Sequence, residues 1–146
     1  MSNLSMGEIM TEQTSNPLAK LIVSAETLRE QYAEIADAAM NFIRIEDKTG
    51  KIQLIEFNSL TDKQRVELFL IGRFLAHKLG FSSKSSANLS EVSTELGRKA
   101  NVLVHPVKDL VTDGILLQDK MSKEYSISPH RLLETLKRIK FKGRKA

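Results

Sequence analysis

The side chains most capable of chemistry in this chain are its bases. Residues 61–146 hold 17 Lys and Arg against nine acids, a net of +8, whereas residues 1–60 hold five bases against nine acids, a net of −4. The overall charge of +4 conceals that division. The last ten residues carry six bases (Lys137, Arg138, Lys140, Lys142, Arg144 and Lys145) and no acid. Positive charge gathered at one end is the electrostatic footprint of a chain that meets a polyanion there, because each base beside a phosphate releases a condensed counterion. The competing role is a Lys-rich solvated surface, with cations favoured near a helix C-terminus by the macrodipole.

Reactive chemistry is scarce by comparison. The 146 residues include no Cys, which removes disulfides, thiolate metal sites and cysteine nucleophiles. His77, His105 and His130 stand in separate segments, none at ligand spacing from another His. The seven Gly are scattered and form no phosphate-cradling loop. Glu30, Glu34 and Asp37 share a helix face, but beside Arg29 they read as a solvated stripe. We therefore expect no catalytic residue, no metal site, no cofactor and no enzymatic activity. No stretch approaches the ~20 apolar residues of a membrane span. Residues 1–13 lack a basic segment followed by an apolar one. A cytoplasmic protein without membrane contact is the expectation.

The elements that must position the bases follow from periodicity and punctuation. Residues 1–15 are polar and aperiodic and are expected to be disordered. Asn16-Pro17 is N-cap chemistry, and Leu18, Leu21, Ala25, Leu28, Tyr32, Ile35 and Ala39 then recur at alternating spacings of three and four, a seam that has to pack on another helix or on its twin. Two alternating segments, 42–46 and 51–57, flank Asp47-Lys48-Thr49-Gly50 and predict a hairpin. Ser59 or Thr61 can cap a helix over 62–79 whose apolar residues cover more than one face, predicting the central, most buried helix. A Ser-rich connector over 81–87 leads to Asn88, which has capping-box spacing to Glu91 and opens a short helix ended by Gly97. A further helix ends at Asp113-Gly114. Strands over 115–119 and 124–128 surround the turn at Lys120–Lys123, and Ser128-Pro129 opens a last helix reaching about Phe141. Residues 16–58 would form an acidic dimerisation or partner arm, 59–141 the main domain, and 137–146 a basic tail.

The stretch NLSEVSTELGRKANVLVHPVKDLVTDGILLQDKMSKEYSIS, residues 88–128, resembles a winged helix-turn-helix module. Leu96-Gly97 marks the tight turn, Leu110 lies fourteen residues beyond Leu96, and Gly114 closes the third helix before an apolar strand. The likeness covers about residues 62–128. It implies a mainly α fold with small β-hairpins, an N-terminal helix and hairpin extension and a C-terminal helix. Leu89, Val92, Leu96, Val107, Leu110, Val111, Ile115 and Leu117 would form its small core. The family binds duplex DNA by laying a helix in the major groove and a basic wing beside it. By position, Lys99, Asn101, His105 and Lys108 would face the groove, with Arg98 at the turn and Lys120 and Lys123 on the wing. Pro106 departs from the pattern, so the helix either begins there, only about two turns long, or is bent. Val102, Leu103 and Val104 depart too, being apolar where regulators usually carry polar residues, and they would be buried or meet a protein. The resemblance implies a transcriptional regulator of duplex DNA, homodimeric through its N-terminal helix. The alternative is a protein-interaction module within a nucleoprotein assembly, with only non-specific nucleic-acid affinity.

Overall fold

The structure, a computed structural model, describes Leu18 and residues 25–139. Residues 1–15, Asn16-Pro17 and the tail bases Lys140, Lys142, Arg144 and Lys145 lie outside the described residues. The chain divides into two compact units, Met1–Glu34 and Ile35–Ala146, with the division within the first helix. In the first unit, helix α1 (Ala25–Ala39) begins, and Leu18 and Tyr32, two of the expected seam positions, are exposed.

The second unit takes the end of α1 and continues through β1 (Ile43–Ile45), β2 (Ile52–Leu54), a 3-10 turn at Phe57–Ser59, α2 (Asp62–Lys78), α3 (Leu89–Leu96), α4 (Ala100–Thr112), β3 (Leu116–Gln118), β4 (Tyr125–Ile127), a 3-10 turn at Pro129–Arg131 and α5 (Leu132–Arg138). The described residues thus form a mixed α+β fold of five α-helices and two small antiparallel hairpins. No helix among them is long and apolar enough to cross a membrane.

Helix α2 is the axis of the unit. Thr61 opens it: its hydroxyl accepts the Gln64 N–H at 3.2 Å, and the Gln64 side-chain oxygen accepts the Thr61 N–H at 2.9 Å, satisfying two donors that a helix start otherwise leaves open. Val66, Leu68, Phe69, Leu70, Ile71 and Ala76 are buried, pointing in several directions at once, because the first hairpin, α3, α4 and β4 all pack around the helix. The first hairpin pairs Ile43 with Leu54 and Ile45 with Ile52, and these four join the core while Arg44 and Gln53 face outward.

Three expectations change in the C-terminal half. Helix α4 does not begin at Pro106; it runs from Ala100 to Thr112 with Pro106 inside. An interior Pro costs about 3 kcal/mol. Leu103, Val107 and Leu110 are buried on both sides of it, and each aliphatic side chain recovers about 1.5–3 kcal/mol on burial, so packing outweighs the lost bond. Leu117 is not core: it pairs with Ser126 on the outer face of the second hairpin, while its neighbour Leu116 pairs with buried Ile127 and fills the interior. The last helix starts at Leu132, after the 3-10 turn that Pro129 opens, and ends at Arg138, where Ile139 turns extended and is itself buried. Phe141 lies outside the described residues.

The turn of the first hairpin rests against the end of α2. Gly50 has a φ of +72°, and a Cβ built there would stand 2.3 Å from the Phe81 carbonyl oxygen; Gly80 has a φ of +84° with nothing within 4 Å. Gly80→Ala should therefore cost about 1–2 kcal/mol, the left-handed penalty alone. Gly50→Ala should cost clearly more, since backbone must also move, and urea midpoints of the two variants compare them directly.

Candidate nucleic-acid interface

Two capping devices set the candidate elements in place. Asn88 accepts the Glu91 N–H at 2.8 Å and Glu91 accepts the Asn88 N–H at 3.3 Å, so α3 starts as a full capping box. Gly97, at a φ of +64°, reverses the chain within one residue. Helix α4 then presents Leu103, Val107 and Leu110 inward, which leaves Asn101, His105, Lys108 and Thr112 along the opposite face. Lys99 occupies the N-cap position immediately before it and is exposed. Of the apolar trio at 102–104, only Leu103 is buried; Val102 and Val104 flank the outer face, 40% and 39% exposed.

The second hairpin is short but well braced. Ala87 forms a β-bridge to Tyr125, with N–H to carbonyl bonds of 2.9 and 2.8 Å in the two directions. Lys84 donates to Glu124 at 2.7 Å and to Glu91 at 3.0 Å, and the Ser86 hydroxyl donates to Glu124 as well. These bonds hold the Glu124 carboxyl below, and the Lys84 ammonium above, their ordinary pKa values. The Ser-rich connector is thereby tied to the base of the hairpin. Lys120 and Lys123 stand exposed in its turn.

The structure sorts the expected bases into two groups. Lys99, Lys108, Lys120 and Lys123 make no ion pair among the described residues. Arg98 is engaged inside the fold: its Nε and Nη2 donate to the two Asp62 oxygens at 3.0 and 3.1 Å, and Arg65 donates to the same carboxylate at 2.9 Å. The Arg98 bonds, first, and then those of Arg65 hold the Asp62 carboxyl below its ordinary range. Lys137 and Arg138 lie in the last turn of α5, and Arg138 reaches back to Glu67 at 3.4 Å.

Glu67 and the Lys84–Glu124 brace carry no distinctive sequence motif. Glu67 is an acid between Val66 and Leu68 in a helix apolar on several faces, and that context is the one available signal that it is buried. Loss of water pushes its pKa from 4.5 up to about 7, against the pull of Arg138 and Lys63 and with the push of Asp113. The folded chain thus holds this proton more tightly than the unfolded one, so Glu67 makes stability fall as pH rises from 4.5 to about 7. Glu67→Gln should flatten that part of the profile, read from urea midpoints between pH ~5 and ~8.

Compared with known proteins, the chain matches no family model, no curated protein and no solved structure.

Proposed function

We propose that this chain is a DNA-binding winged-helix protein acting as a transcriptional regulator. The observation that carries the reading is the set of four lysines without an ion pair among the described residues, Lys99 and Lys108 on α4 and Lys120 and Lys123 on the adjoining hairpin, around an exposed helix face bearing Asn101 and His105. An α-helix fits the major groove of B-DNA, and a hairpin beside it can meet the neighbouring backbone or minor groove. The order α2, bridge residue Ala87, α3, Gly turn, α4, β3, β4 supports the winged-helix reading, with α4 as the groove helix and the second hairpin as the wing. Within it, the lysines supply phosphate affinity, while Asn101 and His105 have the donors and acceptors to read base edges. Lys137 and the tail bases Lys140, Lys142, Arg144 and Lys145 would add phosphate contacts. Arg98 and Arg138 are assigned instead to holding the fold together, through Asp62 and Glu67. The N-terminal helix is proposed to pair two copies, which would suit a palindromic site.

A second reading is favoured by exposed Val102 and Val104: a protein-docking module in a nucleoprotein assembly, in which the bases only anchor the complex near nucleic acid. Titration against duplex and single-stranded DNA across salt separates the two. The DNA reading expects duplex preference and a linear fall of log affinity with log salt. Each of Lys99→Gln, Lys108→Gln, Lys120→Gln and Lys123→Gln should lower that slope by about 0.9. Arg98→Gln should leave the slope unchanged and lower thermal stability. Absence of binding at low salt would send the reading to a protein partner.

A further inference from the structure

We propose that Met121 is a wedge: the tip of the β3–β4 hairpin enters the minor groove of duplex DNA, and the Met121 side chain inserts between adjacent base pairs and kinks the helix. This inference rests on the DNA-binding reading above.

Met121 is 94% exposed, a large apolar side chain held almost entirely in water at the outermost point of a hairpin. Its turn is not loose. The Asp119 carboxylate accepts the N–H groups of Met121 at 2.8 Å and Ser122 at 3.3 Å. The Lys123 N–H donates to the Asp119 carbonyl at 2.7 Å, the Asp119 N–H to the Glu124 carbonyl at 2.9 Å, and Lys123 takes a left-handed φ of 60° to close the loop. Below it, Ser86 and Lys84 grip Glu124, and Ala87 pairs with Tyr125. The strands are three residues each, so little length separates the braced base from the tip. The backbone of the turn is ordered in advance, so insertion has to order little beyond the Met121 side chain itself.

The charges select the occupant. Lys120 and Lys123 flank Met121, exposed and without an ion pair among the described residues. Both acids of the connecting loop are engaged, the Asp119 carboxylate by backbone N–H groups and the Glu124 carboxylate by Lys84 and Ser86. An apolar point between two cations matches a narrow groove with phosphates on both walls. The minor groove, roughly 6 Å wide, admits a side chain where it excludes a helix. Unbranched, polarizable Met is among the residues that unstack base steps in this way, at a cost offset by the extra contacts a bent duplex makes.

The full-length protein and a duplex carrying end fluorophores, with an aminopurine base analogue beneath the hairpin, test the wedge. The bound duplex should bend by on the order of 20° or more, with the analogue brightening as it unstacks. Met121→Ala should abolish both signals while keeping affinity within about tenfold. Met121→Leu should retain them, and Lys120→Gln should weaken binding yet leave the bend intact at saturation. Unchanged melting temperatures would separate these effects from misfolding. A bound duplex that stays straight, or that Met121→Ala bends equally, overturns the wedge while leaving DNA binding in place and points Met121 towards a protein surface. Failure of the unaltered protein to bind any duplex overturns the DNA reading itself, and the wedge with it.

Discussion

The second unit depends on the burial of one helix on nearly all of its sides. Helix α2 gives its apolar residues to the first hairpin, to α3 and α4 and to the second hairpin together. Few surfaces in a chain this size can serve so many partners, and each packs against side chains that also contact another. The N-terminal hairpin and the proposed reading elements therefore share one core. A change in the middle of α2 would be felt at both.

Charge is organised around the same helix. At its start, Asp62 collects Arg65 and Arg98, tying α2 to the turn between α3 and α4. One turn further on, Glu67 is buried and meets Arg138 from α5. Partly buried pairs of this kind fix geometry more than they add stability, because removing ions from water costs about as much as their attraction returns. Arg98 meets both oxygens of Asp62 with its planar fork, Lys84 bridges two separate carboxylates as a point charge, and the lysines at the proposed interface are the ones left for solvent or phosphate.

Much of this was legible in the sequence where a local rule has a local cause. Asn88 with Glu91, Gly97, Gly114 and the alternation in 42–46 and 51–57 each decide a backbone event within a few residues, and the elements appear at those signals, except that the second strand stops at Leu54, where Glu56 turns left-handed and Phe57 opens a 3-10 turn. Legibility fails where the cause is distant. Pro106 breaks a helix by its own chemistry, and only the core contacts of Leu103, Val107 and Leu110 keep α4 continuous. Leu116 and Leu117 are alike in sequence, and strand register decides which faces inward. At the site, positions on α4 could be placed by spacing, whereas nothing near Arg98 or Arg138 in the chain announces that their carboxylates lie 36 and 71 residues away.

The Ser-rich connector carries a consequence for the chain's life in the presence of proteases. Ser82, Ser83, Ser85 and Ser86 have the composition of a cleavable linker. Yet the Ser82 hydroxyl donates to the Lys84 carbonyl, Lys84 is clamped by two carboxylates, and Ala87 is paired as a strand. A protease needs several consecutive residues extended and free of such bonds, so cutting here requires the second hairpin to lift off first. The connector's lifetime is then set by how often that hairpin detaches, and nicking it becomes a clock for the opening of the second hairpin.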